Sequence, residues 1–133
     1  MLTAGVTTNE FFLQCFAKED DPSSGGRQLP GHFGHPDFNM PSQSSPTGTQ
    51  FLNAVGTALA SVKKGENTVT YVSSGEGTTS QGEFHEAVNW ASREKLPVLF
   101  LIENNKYAIS VHVIQQSGGK DGSVAAMMSG YEN

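Results

Sequence analysis

Residues 68–107 read TVTYVSSGEGTTSQGEFHEAVNWASREKLPVLFLIENNKY, and this stretch decides the fold. Thr68 to Ser73 combines β-branched and aromatic residues, which suits a strand. Ser80 followed by Glu83 has the spacing of a capping box, so a helix is expected to start at Ser80. Phe84, Ala87, Val88 and Ala91 then recur at helical intervals, with Arg93 and Lys95 in the last turn. Pro97 stops that helix and opens the strand Val98 to Ile102. A run this apolar is expected to be buried on both faces of a parallel sheet. Strand, helix and strand within such a span form a βαβ unit. The fold class is therefore α/β, a parallel sheet with flanking helices.

Two parallel strands of one such unit end on the same edge of the sheet, where open α/β sheets bind ligands. Gly75-Glu76-Gly77 follows the first strand and Glu103-Asn104-Asn105-Lys106-Tyr107 the second. A single carboxylate on Glu76, an amide oxygen on Asn105 and nearby carbonyls are hard oxygen ligands, few in number. Mg²⁺ takes one or two carboxylates and fills its octahedron with water and phosphate oxygens. Glycines beside Glu76 let the backbone approach a phosphate, and the following helix N-terminus offers N–H donors. The expectation is a Mg²⁺-diphosphate site. The first strand end lacks both Gly-x-x-x-x-Gly-Lys-Ser/Thr and Gly-x-Gly-x-x-Gly, which disfavours nucleoside triphosphates and nicotinamide dinucleotides.

Upstream, Thr49 to Val62 places Phe51, Val55, Ala58, Leu59 and Val62 on one helical face. Lys63-Lys64-Gly65 is its stop. Residues 22–46 hold five of the six prolines and have no period, a long irregular loop. Leu29, Phe33, Phe38 and Met40 punctuate it, so it is expected to be ordered against a partner or ligand. Thr8 to Lys18 reads as a short helix with Phe12, Cys15 and Phe16 spaced to share a face. The tail from Val111 to Asn133 is weakly patterned, with a helix start at Val124 to Met128.

The chain has 133 residues and a net charge of −5, which disfavours nucleic acid and a polybasic membrane anchor. Its longest apolar run, Pro97 to Ile102, is too short to span a bilayer. No secretory signal opens it. The single cysteine, Cys15, cannot form an internal disulfide, so a reducing, cytoplasmic location is expected. Only 36% of residues are hydrophobic, so either the chain is loop-rich or its core is completed by something else.

The run from Gly75-Glu76-Gly77 to Asn104-Asn105 resembles the thiamine diphosphate motif. With GGRQLPGHFG and SSPTGTQFLNAVGTALA upstream, nearly the whole chain resembles the alpha subunits of thiamine-diphosphate-dependent 2-oxo acid dehydrogenases. The branched-chain (2-oxoisovalerate) members are the most similar. The resemblance implies a thiamine-diphosphate-binding fold, of which residues 1–133 are the central part of one domain. It implies oxidative decarboxylation of a 2-oxo acid, with acyl transfer to the lipoyl group of a partner acyltransferase.

On that resemblance, Glu76 and Asn105 ligate Mg²⁺ through their side chains and Tyr107 through its carbonyl. Gly75, Gly77 and Thr78 line the diphosphate. Ser45 and Thr47 approach the aminopyrimidine side. Ser44, Pro46, Thr49 and Gln50 match a monovalent-cation (K⁺) site. Glu103 stands where some members carry a phosphate-binding arginine. No catalytic residue is expected in this chain. The activating glutamate belongs to a beta subunit or beta half, and the catalytic histidine loop and an upstream diphosphate-contacting segment lie outside these residues. The implied partners are that beta part, a second copy of the alpha-beta unit and the lipoyl-bearing acyltransferase. A pyruvate or acetoin dehydrogenase alpha subunit, or a non-catalytic fragment making only interfaces, are the alternatives. His32 and His35 read as packing or hydrogen-bonding residues, His85 as a surface or interface residue and Cys15 as a small core residue. Arg27 reads equally as an anion ligand or a solvated charge.

Overall fold

The computed structural model describes residues 1–118 and 120–131, and the chain divides into two compact units, Met1–Ser45 and Pro46–Asn133. The last positions of the expected tail, 132 and 133, lie outside the described residues, as does 119.

In the first unit, α1 spans Thr8–Cys15. A capping box opens it: the Thr7 hydroxyl accepts from the Glu10 amide, and the Glu10 carboxylate accepts from the Thr7 amide at 2.7 Å. These bonds to Thr7, with a smaller contribution from His35, hold the Glu10 carboxyl below its usual range. The helix ends three residues before Lys18, because Ala17 adopts a left-handed φ of 50°. On the shared face, Phe12 and Phe16 are exposed and stack on each other, and Cys15, expected as a small core residue, is only half-buried. The buried residue of α1 is Gln14. Its Nε2 donates to the His32 carbonyl and its Oε1 accepts from the Gly31 amide.

Residues 22–46 contain a short 3₁₀ turn at Pro36–Phe38 and a bridge between His35 and Met40. The buried Asp21 carboxylate gathers the start of this loop, accepting from the amides of Ser23, Ser24 and Gly26 and from the Ser24 hydroxyl. Burial pushes its carboxyl up, but the hydrogen bonds outweigh that and hold it below the usual range.

The second unit carries the sheet. Helix α2, Thr49–Lys64, buries Phe51, Ala54, Val55 and Ala58; Val62 is nearly half exposed. Its expected stop is present: Gly65 takes φ 72° and its amide bonds to the carbonyls of Ser61 and Val62. Strand β1, Thr70–Gly75, runs parallel to β2, Val98–Glu103, in register from Thr70↔Val98 to Gly75↔Glu103. Between them lie a 3₁₀ turn, Glu76–Ser80, and α3, Gly82–Glu94.

The helix expected from Ser80 therefore starts at Gly82, and Ser80 does not cap it. The N-cap position falls to Gln81, which makes no side-chain cap bond. Ser80 is already committed to the 3₁₀ turn. At the other end Lys95, at φ 50°, closes the helix, and the Leu96 amide bonds to the Ala91 carbonyl.

Strand β2 is not buried on both faces. Val98, Phe100 and Ile102 pack against the core of α2 and α3, whereas Leu99 and Leu101 are 55% and 45% exposed. With Tyr71, the register neighbour of Leu99, they form an apolar face that the described residues of the second unit leave open. Inside, the rings of Phe51, Phe84 and Phe100 meet at centroid distances of 5.0, 6.2 and 6.3 Å. Beyond β2, a hairpin pairs β3, Tyr107–Ala108, with β4, Val111–His112. Helices α4, Val113–Gln116, and α5, Val124–Met127, complete the unit. No helix among the described residues is long and apolar enough to cross a membrane.

Candidate cofactor site at the strand ends

Gly75 and Glu103 are the last register pair of the parallel sheet, so the residues that follow both leave the same edge. After Gly75 the chain tightens into the Glu76–Ser80 turn, where the Thr79 hydroxyl donates to the Glu76 carbonyl at 2.7 Å. The Glu76 side chain turns inward. It is 1% exposed, and its Oε1 has no hydrogen-bond partner among the described residues. A buried carboxylate oxygen without a donor costs free energy unless something completes it. That orphan oxygen fits a cation, and no group of three or more His, Cys, Asp or Glu converges as a metal site among the described residues. A lone carboxylate is the donor set expected of Mg²⁺ with water and phosphate ligands rather than of zinc.

After Glu103, two successive Asx turns redirect the chain. Asn104 Oδ1 accepts from the Lys106 amide at 3.0 Å and Asn105 Oδ1 from the Tyr107 amide at 2.9 Å. Lys106 takes a left-handed φ of 71° to make the bend. Each carbonyl oxygen has two lone pairs, so Asn105 Oδ1 retains one for a further partner. Asn105 and Tyr107 are both exposed. The bend lays β3 on the Glu76–Ser80 turn. A Cβ on Gly77 would stand 2.7 Å from the Ala108 Cβ, so glycine at 77 permits the approach. Tyr107, next to Ala108, is thereby carried to the turn that follows β1.

Thr47 reaches the same region through its neighbour. Gly48, buried and at φ 103°, sits where a Cβ would lie 3.0 Å from the Gln81 Cβ and 3.8 Å from the Thr78 Cγ2. Gly48 and Gln81 are the N-caps of α2 and α3, and neither makes a side-chain cap bond. The N-termini of α2 and α3, neither capped by the side chain of its own N-cap residue, thus lie together beside Thr78, an anion-friendly arrangement. Of the residues matched to a monovalent-cation site, the Thr49 hydroxyl donates to the Pro46 carbonyl and Gln50 Oε1 accepts from the Gly48 amide.

Ser45 and Ser44 belong to the first unit. Ser45 Oγ lies 3.0 Å from His32 Nε2, whose Nδ1 lies 3.1 Å from the Leu29 carbonyl. A carbonyl only accepts, so Nδ1 carries the proton and Nε2 accepts from Ser45. His35 is buried, its Nδ1 accepting from the Asp37 amide. Arg27 Nη1 donates to the Ser24 carbonyl.

Sequence reasoning missed two residues. Gln116 Nε2 donates to the carbonyls of Gly77 and Glu76 and to Ser80 Oγ, at 3.0, 3.4 and 3.1 Å. Nothing in its spacing marks this contact across the sequence. Ile109, at the hairpin tip, is wholly exposed at φ 56°, a strained conformation for a β-branched residue. Its position after Tyr107-Ala108 was legible; its backbone was not.

The family model described as dehydrogenase E1 component matches residues 1–130. Over 111 residues the chain is 49% identical to a 2-oxoisovalerate dehydrogenase subunit alpha of Bacillus subtilis, covering 84% of this chain and 34% of that protein. It is 41% identical over 127 residues to a mitochondrial 2-oxoisovalerate dehydrogenase subunit alpha of Dictyostelium discoideum, covering 96% and 28%. The mitochondrial human protein of that name is 38% identical over 121 residues, covering 91% and 26%. The chain spans about a quarter to a third of the length of these curated relatives.

Proposed function

Because this chain belongs to the dehydrogenase E1 component family, we propose that it holds the Mg²⁺-diphosphate end of thiamine diphosphate in a 2-oxo acid dehydrogenase. The observation that carries the proposal is the Glu76 carboxylate, buried with an unpartnered Oε1 at the end of β1. Glu76, the second lone pair of Asn105 Oδ1 and the Tyr107 carbonyl hold the cation. Gly75, Gly77 and Thr78 line the diphosphate, with the N–H groups opening α2 and α3 favouring its charge. Thr47 serves the aminopyrimidine side, and Pro46, Thr49 and Gln50 a K⁺ ion.

The cofactor, when bound, supplies the electron sink for decarboxylation. The residues of this chain bind and orient it. No side chain here is assigned to acid–base catalysis. The beta subunit or beta half supplies the groups that activate the cofactor, within an assembly containing a second alpha-beta unit. The acyl product passes to the lipoyl group of a partner acyltransferase. The names of the relatives support a branched-chain 2-oxo acid over pyruvate or acetoin. The single half-buried cysteine agrees with a cytoplasmic setting. On this reading the chain by itself turns over no substrate, and measurable 2-oxo acid decarboxylation by the purified chain alone would sink that part.

The open apolar face of Tyr71, Leu99 and Leu101 favours a second reading, a chain that only makes interfaces. Calorimetric titration with Mg²⁺ and thiamine diphosphate separates the two. Heat of binding that is lost in Glu76→Ala supports the cofactor reading. No heat, or binding indifferent to Glu76→Ala, leaves the interface reading.

A further inference from the structure

Gln116 ends α4, 40 residues after Glu76, yet its amide reaches three oxygens of the turn that follows β1. Nε2 lies 3.0 Å from the Gly77 carbonyl, 3.1 Å from Ser80 Oγ and 3.4 Å from the Glu76 carbonyl. Two of these are carbonyls, which only accept. The nitrogen must therefore face them, since a flipped amide would set oxygen against oxygen. The opposite end of the amide, Oε1, is then directed away from them; it is buried and finds no donor among the described residues. Glu76 Oε1 is in the same condition.

Glycines flank Glu76, and Gly77 has no side chain with which to hold its place against Ala108. Beyond the backbone bonds internal to the 3₁₀ turn, the Thr79 hydroxyl donates to the Glu76 carbonyl and the Gln81 amide to the Thr78 carbonyl. A ligand side chain binds a cation well only when its backbone is held by surrounding hydrogen bonds.

We infer that Gln116 is the positioning residue for Glu76: its amide clamps the Glu76–Ser80 turn and so fixes the carboxylate that receives the cation. This rests on the reading of Glu76 as a cation ligand, but the clamp is measurable without any cation. Gln116 acts through the turn and is not itself a catalytic residue.

The test uses the full chain and the variants Gln116→Glu and Ser80→Ala. Gln116→Glu keeps the volume and removes the donor, whereas Ser80→Ala removes one of the three acceptors. Hydrogen–deuterium exchange over residues 76–81 is measured without ligand. Exchange there should quicken about tenfold in Gln116→Glu and about two- to threefold in Ser80→Ala, the loss of roughly one or more net hydrogen bonds. Exchange in the middle of α2 should not change. Titration with MgCl₂ at fixed thiamine diphosphate should then give an apparent Mg²⁺ affinity about tenfold weaker in Gln116→Glu.

Wild-type exchange over 76–81 in a folded Gln116→Glu chain overturns the inference. If that variant does not fold, unchanged exchange in Ser80→Ala overturns it instead. If the unsubstituted chain takes up no Mg²⁺ and thiamine diphosphate, the proposed function fails, while the exchange measurement still decides the clamp.

Discussion

Gly77→Ala should destabilise the chain, and the sign of its effect should reverse once Ala108 is trimmed. An ideal Cβ at position 77 meets the Ala108 Cβ at 2.7 Å and the Ala108 Cα at 3.4 Å. Ordinary contact begins near 3.4 Å, so the first pair overlaps by about 0.7 Å while the second does not. Overpacking of this kind costs about 1–3 kcal/mol. Gly77 has no left-handed φ, so alanine itself suits the backbone and returns about 0.4–1 kcal/mol through the unfolded chain. The net expectation for Gly77→Ala alone is a loss of about 0.5–2 kcal/mol.

Ala108→Gly costs roughly 0.5–1 kcal/mol by itself, as glycine does in a strand. In that background the clash is gone, and Gly77→Ala should stabilise by about 0.4–1 kcal/mol. The coupling is thus about 1–3 kcal/mol, well above the roughly 0.3–0.5 kcal/mol within which independent sites add. Urea unfolding of the four chains measures it, provided the slopes agree. Equal effects of Gly77→Ala in both backgrounds would refute the packing of β3 on the Glu76–Ser80 turn. With it would go the placement of Tyr107 beside that turn.

Four other perturbations probe separate parts of the structure. Phe51→Ala, at a wholly buried ring between Phe84 and Phe100, should cost about 3–5 kcal/mol in denaturant unfolding. Phe12→Ala, on the exposed face of α1, should cost less than about 1 kcal/mol, and a large cost would mean that face is covered. Ile109→Gly removes a left-handed strain of about 1–2 kcal/mol against about 0.5–1 kcal/mol for glycine flexibility. Since Ile109 buries nothing, thermal unfolding should rise slightly; a fall would mean that the strain is absent. Asp21 has a depressed folded pKa, so its stabilisation is full above the unfolded value and drains as pH falls through the folded one. Protection of the amides over residues 22–28, relative to the intrinsic exchange rate at each pH, should therefore fall in acid below about pH 4, and Asp21→Asn should flatten that response.

The βαβ unit was legible because three signals agree over 40 residues: a β-branched run, helical spacing and an apolar run after proline. The strand polarity that follows brings Glu76 and Asn105 to one edge without any knowledge of side-chain placement. Where the reading failed, a local signal was outcompeted by a tertiary one. Ser80 and Glu83 have capping-box spacing, but Ser80 Oγ sits inside a 3₁₀ turn and accepts from Gln116. Thr7 and Glu10 have the same spacing, and there the capping box forms, at the start of α1. A buried glutamine such as Gln14 has no periodic signature at all; its burial depends on the His32 carbonyl and the Gly31 amide, 18 and 17 residues away.

The open face of β2 has the same logic in reverse. Leu99 and Leu101 read as core because their composition is that of core, and the composition describes the strand's eventual environment. The described residues of the second unit supply only one of its two covers. A strand apolar on both faces, set in a two-stranded sheet with one face bare, is inconsistent with a self-sufficient domain, since isolated two-stranded sheets are marginal without packing on their apolar surface. The low hydrophobic content and the exposed Tyr71, Leu99 and Leu101 agree: among the described residues of the second unit, none covers this apolar face. The site follows the same rule. Glu76 presents a buried oxygen with no donor, a defect in an isolated chain and a requirement once a cation and its cofactor are bound.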